Sequence, residues 1–430
     1  MYTDTEALYE VFLESTSVFT DSRCIVDKGL FFALRGDRFD GNHFTEEALA
    51  KGAHAVVTDD IHFVSHFPER VFYVKDTVCA LQQLAAYHRS RLDLPVIAIT
   101  GSNGKTTTKE LIARVLSKKY KTLFTQGNLN NHIGLPLTLL KLCKAHKIAV
   151  IEMGANHLGE IAMLSHIARP DYGYITNFGS AHLEGFGGRE GVIRAKSELY
   201  DYLRLHKKTA FVYADDPLQM QKSQGISRYF FSKNENMGIC VKLLTDNSQG
   251  VYLSFKKTPI QSHLTGVYNF INLSAAIAIA DRFKVSAQEI KMALESYYPD
   301  NNRSQYFKKG SLHVFLDAYN ANPSSMEAAI AHFERLKGTK TAILGDMLEL
   351  GVYSTQAHLQ IVKRLQNTDI SQFFLIGPNF SKVKIQEDRI RYFPHRQVLE
   401  NFLKIHPIPT DHLLIKGSRK LALEKLVPLL

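Results

Sequence analysis

Residues Val96 to Thr108 read VIAITGSNGKTTT, and this stretch decides the fold. Val96 to Thr100 are apolar or β-branched throughout, as in a strand buried on both faces. Gly101-Ser102-Asn103-Gly104-Lys105-Thr106 follows. KELIARVLSKKY then sets Leu111, Ile112, Val115 and Leu116 at helical spacing. Strand, glycine turn, Gly-Lys-Thr and helix make the layout of a phosphate-binding loop. Glycines let backbone N–H groups close around phosphate, the helix N-terminus is positive, Lys105 adds a cation, and Thr106 offers a hydroxyl to Mg²⁺. The first glycine stands at Gly101, and Ile99 occupies the position where the common G-x-x-x-x-G-K-[ST] pattern has one. The expected phosphate contacts are Gly101, Ser102, Asn103, Gly104, Lys105, Thr106 and Thr107; an ordinary strand-turn-helix is the alternative.

Downstream, GNLNN (Gly127 to Asn131, with Asn130) is a polar loop, and Gly134-Leu135-Pro136 opens a Leu-rich helix. KIAVIE gives a second buried strand, Ile148 to Ile151, ending in Glu152. Beside the phosphate-loop strand in a parallel sheet, a strand-end carboxylate lies where ligands bind in open α/β folds and can hold Mg²⁺. Tyr172 to Thr176 is a further strand. His182 then falls in a loop and Lys196 on a helix, where spacing alone favours a solvated histidine and a surface charge, with a functional role as the alternative. AFVYADDP is a strand and turn, and the next fifty residues read as antiparallel strands. Asn269 and Asn272 begin an Ala-rich helix, either meeting a base or capping it. Ser286 and Glu289 form a capping box.

Upstream, a short amphipathic helix leads to a strand at Leu30 to Leu34 and a polar glycine loop, Arg35 to Gly41. With Ser22, Arg35 and Asn42 nearby, that loop is either a plain turn or a ligand rim. FTEEALAKGA reads as a helix, HAVVTD as a strand, and Leu92 to Pro95 as a linker. From Pro299 onward a polar connector, PDNNRSQYF, precedes alternating strands and helices, which imply a parallel sheet covered on both faces. Lys416-Gly417-Ser418-Arg419, at a strand-to-helix turn, is either a second anion cradle or a cationic loop.

With 430 residues the chain exceeds one core. Three blocks emerge: 1–92, 93–299 and 300–430. The formal charge of +10 suits anionic partners, nucleotides or nucleic acid, but the Lys and Arg residues are dispersed, which disfavours a nucleic-acid tail. Cys24, Cys79, Cys143 and Cys240 fit no metal spacing and read as reduced thiols. An acidic N-terminus without a signal-peptide core, and no apolar run near ~20 residues, lead to the expectation of a cytoplasmic protein with neither membrane nor nucleic-acid partner.

Taken together, these motifs resemble the Mur ligases over nearly the whole chain. The resemblance rests on Asp21-Ser22-Arg23 and Asp40-Gly41; on TGSNGKTTTKE, GNLNNHIGLP, EMGANHLGEI, AHLEGFG and RAKSELY; and on DAYNANPSSM, LGDMLELG and KGSR. YNANP, GDMLELG and GNLNN point to the D-alanyl-D-alanine-adding branch, and the Asp-Asn-Pro-Arg signature of the lysine- or diaminopimelate-adding branch is missing. The resemblance implies an α/β fold of three domains: a small α/β N-terminal domain, a central P-loop ATPase-like parallel sheet and a C-terminal Rossmann-like domain. It implies an ATP-dependent amide ligase, acting on UDP-MurNAc-tripeptide and D-alanyl-D-alanine, expected as a monomer. Lys105 and Thr106 would hold ATP phosphates and Mg²⁺. Glu152, His182 and Lys196 would be metal ligands, Lys196 as a carbamate, so that Lys105, His182 and Lys196 are the expected catalytic residues. Asn269, Arg303 and Asp317 would contact the nucleotide. Ser22, Arg35 and Asn42 would cradle the UDP part, with Asn130, Asn322, Lys416 and Arg419 as further substrate contacts. The chain departs from the family pattern at Tyr268, more usually His, and at Ala318. Another ligase of the same fold, such as a folylpolyglutamate synthase, and a P-loop nucleotide switch are the competing readings; the switch would want an Asn-Lys-x-Asp motif that the chain lacks.

Overall fold

In the computed structural model, residues 2–37, 39–247, 249–300 and 302–430 are described. Arg38 of the first-block loop and Asn301 of the connector therefore lie outside the described residues. The strand Val96–Thr100 sits inside a nine-stranded sheet, paired in parallel with Ile148–Glu152 on one side and Tyr172–Ile175 on the other. A strand flanked on both edges and both faces takes apolar residues, or a polar one that is hydrogen-bonded as Thr100 is to the Met153 carbonyl, and all five of its residues are buried. Its side chains alternate. Ile97 and Ile99 join one core with Leu111, Phe270 and Leu273, beneath the helices Lys105–Leu116 and Val267–Arg282. Val96 and Ala98 join the core on the other face, with Ile161, Leu199 and Leu203 from the helices Glu160–Ala168 and Arg189–Leu205. Fully burying one such Ile or Leu side chain contributes about 1.5–3 kcal/mol, so the layers hold the central strand firmly in place.

The fifty residues expected as antiparallel strands differ in part. Ser227–Ser232 pairs in parallel with Thr209–Tyr213, and Ile239–Asn247 begins in parallel with it. Only Ile239–Asn247, Gly250–Phe255 and Thr258–Gln261 form an antiparallel meander. Alternation shows that a strand is half-buried but not which neighbour it pairs with.

Before this sheet, a four-stranded parallel sheet (Val18–Phe19, Leu30–Phe32, Ala55–Thr58, Val71–Tyr73) forms the small first unit. The polar loop after it is a short hairpin, Arg35–Gly36 with Phe39–Asp40. The helix Thr77–Ser90, unread in the sequence, docks this unit on the next: Leu81 and Leu84 enter the same core as Leu135 and Leu164. The last sheet has six strands. Gln305–Lys309 is an antiparallel edge, and Leu312–Asp317, His412–Lys416, Lys340–Gly345, Gln372–Ile376 and Ile390–Phe393 run parallel. The expected doubly covered parallel sheet is thus present, with one reversed edge. No helix among the described residues is long and apolar enough to cross a membrane.

Candidate active site

The phosphate loop is fastened from beneath. Ser102 N–H donates to the Asn177 carbonyl (3.1 Å), Asn103 N–H to Asn177 Oδ1 (3.1 Å), and the Thr176 hydroxyl to the Asn103 carbonyl (2.6 Å). Gly101 has φ 138°, and a Cβ there would lie 2.0 Å from Thr176 Oγ1. Gly104, at φ 79°, would strike Asn272 Oδ1 at 2.7 Å. Both positions combine positive φ with no room, so any side chain would open the loop. The helix Lys105–Leu116 starts on Gly104, its first N–H groups free of helical partners and turned to the loop. Lys105 Nζ lies across the loop, donating to the carbonyl of Gly101 (2.7 Å) and weakly to that of Ser102 (3.3 Å). Burial lowers its pKa, the Glu152 charge opposes this, and Arg303 adds a smaller lowering.

Glu152, 1% exposed, ends its strand beside this loop. Its Oε1 accepts from the Thr106 hydroxyl (3.1 Å) and from Asn130 Nδ2 (2.8 Å). Its Oε2 is buried without a hydrogen bond and lies 4.0 Å from the ammonium of Lys109. Lys109, also 1% exposed, donates to the Thr125 carbonyl (2.8 Å). Sequence reasoning misses this lysine: on a helix it looks like any other surface charge.

His182 sits at φ 53°, with Nδ1 2.6 Å from Glu349 Oε2. The imidazole holds the Glu349 carboxyl below its usual range against the effect of burial. Lys196 is deeply buried behind the cavity wall, its Nζ 3.4 Å from the Ala155 carbonyl and 5.0 Å from the centre of the Phe186 ring. Burial first, and the Lys105 charge second, lower its pKa to about 7, against Glu160 and Glu198. Among the described residues there is no cluster of three or more His, Cys, Asp or Glu arranged to hold a metal.

A cavity of about 900 Å³ runs over the loop, and both the central and the last sheet wall it. Ser102 to Thr107, Asn130, Glu152 and His182 line it on the central side. Arg303, Asp317, Asn322 and Lys416 line it on the other, with Tyr268 and Asn269 between. Asn322 caps the helix Pro323–Phe333 and reaches across to Asn103 Oδ1 (2.7 Å); Ser324 Oγ accepts from Asn103 Nδ2 (2.9 Å). Arg303 stacks on Tyr319 (3.5 Å). Asn269 and Asn272 lie inside the helix Val267–Arg282, whose cap is Gly266, so the capping alternative does not hold. Asn269 Nδ2 donates to the Thr265 carbonyl (2.8 Å), and Asn272 links Asn269 to Thr108. The four residues Lys416 to Arg419 do not act as one cradle. Lys416 is buried and donates to Asp317 Oδ2 (2.5 Å), while Arg419 pairs with Glu424 (2.6 Å) away from the cavity. A separate cavity of about 550 Å³ in the first unit takes in Arg35, Asp40 and His43. Asn42 lies beneath, bonded to Asp59 and Thr58, and Ser22 does not line it.

Three family models match in chain order: the Mur ligase family catalytic domain over residues 14–89, the Mur ligase middle domain over 99–280, and the Mur ligase glutamate ligase domain over 302–419. This chain belongs to the Mur ligase family. Among Mur ligases it is similar to the UDP-N-acetylmuramoyl-tripeptide–D-alanyl-D-alanine ligase of Bacillus subtilis, 34% identical over 95% of this chain and 92% of the relative. A crystal structure of MurF from Acinetobacter baumannii superposes with TM-score 0.86 at 32% identity, covering 99% of this chain and 98% of that one. MurF from Thermotoga maritima, solved in complex with ADP, gives 0.85 at 28% identity, covering 97% of each chain. The Mur ligase architecture accounts for the three sheets, and the phosphate loop and Glu152 line one cavity.

Proposed function

We infer that the chain is the ATP-dependent ligase that adds D-alanyl-D-alanine to UDP-N-acetylmuramoyl-tripeptide in peptidoglycan precursor synthesis. One observation carries the reading of the site: a single cavity joins the phosphate loop, Ser102 to Thr107, to Arg303, Asp317 and Asn322 of the last domain. One wall therefore holds triphosphate while the other presents an acceptor.

A carboxylate is a poor electrophile, so its oxygen first attacks the γ-phosphorus and ADP leaves, giving an acyl phosphate. Loop N–H groups and Lys105 neutralise charge on the transferring phosphoryl group. The amine of D-alanyl-D-alanine then attacks the acyl carbon; the tetrahedral adduct loses phosphate, and the amine proton leaves with it. Cross-domain contacts of Asn322 and Ser324 to Asn103 close the cavity over the acyl phosphate and keep water from hydrolysing it.

Glu152, with a buried oxygen that no donor reaches and with the Thr106 hydroxyl beside it, fits a magnesium ligand, and bound Mg²⁺ would supply charge neutralisation to the phosphates. His182 would take a second such position. Lys196 fits the carbamate: attack on CO₂ needs a neutral amine, and burial in an apolar pocket makes one available near neutral pH. The amine nitrogen bonds the CO₂ carbon, one proton is released, and a repelled cation becomes an anionic ligand. Asn269, Arg303 and Asp317 contact the nucleotide in this reading. Arg35, Asn42 and Ser22 serve the UDP part. Residues 1–92, 93–299 and 300–430 divide the three ligands among them, in a cytoplasmic monomer.

Phosphate release from ATP with UDP-MurNAc-tripeptide, with and without D-alanyl-D-alanine, tests the function. Release that depends on the dipeptide is expected. Release driven instead by lysine or glutamate would overturn it.

A further inference from the structure

Asp246 and His332 meet between the central and last domains. Asp246 lies near the end of the strand Ile239–Asn247, and His332 near the end of the helix Pro323–Phe333. Their side chains are 6% and 8% exposed, with Asp246 Oδ2 3.3 Å from His332 Nδ1. Neither that oxygen nor either ring nitrogen of His332 has an aligned hydrogen-bond partner, so each is the other's nearest polar compensation. Two buried polar groups brought from different domains are expensive to keep unless they do something there.

Their position gives them a use. Asp246 Oδ1 accepts from the Gly266 N–H (2.9 Å), the residue on which the helix Val267–Arg282 starts. The next turn carries Tyr268 and Asn269, which line the large cavity. A narrow cavity of about 20 Å³, lined by Thr265, Tyr268, Asp317 and His332 among others, separates this joint from the large cavity, and Tyr268 and Asp317 face both. The His332 ring also packs edge-on against Phe315, which lines the same narrow cavity. Burial pushes the Asp246 carboxyl up, but His332, the Gly266 N–H and Arg335 together hold it below the usual range, which keeps the contact charged on the acid side.

We propose that Asp246 and His332 are positioning residues, an acid–imidazole joint that couples docking of the last domain to the placement of Tyr268 and Asn269 at the nucleotide. The joint rests on the reading of the large cavity as the ATP site. When the last domain is docked, His332 fixes the Asp246 carboxylate, and Asp246 fixes the Gly266 turn. When it swings away, the carboxylate is exposed to water and the turn loosens. Nucleotide binding and domain docking thereby favour one another.

The test is a double-mutant cycle on the full chain with Asp246→Asn, His332→Gln and the pair together, each checked for folding by circular dichroism. Calorimetric titration with a non-hydrolysable ATP analogue and Mg²⁺ should show about tenfold weaker binding in each single variant and no further loss in the double. The KM for ATP should rise by the same factor, with the KM for the UDP substrate unchanged. If Asp246→Asn does not fold, His332→Gln still decides through that KM split. Unchanged analogue affinity, or losses that simply multiply, would overturn the joint. Lys105→Ala is the control: if it too binds the analogue like the wild type, it is the reading of the ATP site that fails, not the joint.

Discussion

Two buried lysines flank the cavity, and they are built to opposite ends. Lys109 has a carbonyl at 2.8 Å and the carboxylates of Glu110 at 3.6 Å and Glu152 at 4.0 Å, so its charge is compensated where it lies. Lys196 has a carbonyl at 3.4 Å and the face of Phe186, with no carboxylate in contact. Burial lowers both, but only Lys196 is brought down to about 7. Burial alone therefore does not define a reactive amine; the missing partner does. The first lysine holds a carboxylate in place, and the second is left without one.

The sharpest way to break this contrast is Lys196→Met. Turnover should fall by roughly a thousandfold, as when one preorganised charge is lost from a site, with partial rescue by a small carboxylic acid. Full activity would remove Lys196 from the mechanism. The same variant should melt higher than the wild type. A shift from 10.5 to about 7 corresponds to a penalty of at most about 5 kcal/mol, of which a few should be recovered. Lys109→Met should do the reverse, costing up to roughly 3 kcal/mol in denaturant unfolding because Glu152 loses its nearer cation and keeps only the charge of Lys105. If both variants shift stability in the same direction, the contrast is wrong.

The pH dependence sharpens it further. Between about pH 7 and 10.5 the unfolded chain protonates Lys196 while the folded chain does not. The penalty is therefore full below about pH 7 and fades as pH rises, and the stability gap between Lys196→Met and the wild type should narrow across that window. Carbamate formation, followed by ¹³C NMR with labelled bicarbonate, should be lost as pH falls through about 7. The smallest effect is expected at Asn322→Ala. Loss of the helix cap costs about 1 kcal/mol, and loss of its bond to Asn103 should raise the rate of ATP hydrolysis uncoupled from ligation.

Much of the site is legible in the amino-acid sequence. The loop from Gly101 to Thr106 is contiguous, and its chemistry follows from local rules of strand, glycine and helix terminus. Glu152 is legible as the end of an apolar strand. His182 and Lys196 stand out only through family resemblance, since nothing in their spacing separates them from solvated residues. The pairing of the fifty residues after Tyr213, and the place of Asn269 inside its helix, are not legible there, because alternation and caps report on a segment and not on its neighbours.

The amino-acid sequence by itself determined the central strand, the phosphate loop, the three-part order of elements and the family, because these depend on interactions within a few residues of one another. Only the tertiary structure decided which lysine is compensated, that Asn322 meets Asn103, that Glu349 meets His182, and that Lys416 is spent on Asp317. Those contacts join residues far apart in the chain, and their energies hinge on burial and on a partner's distance, neither of which exists until the domains have packed.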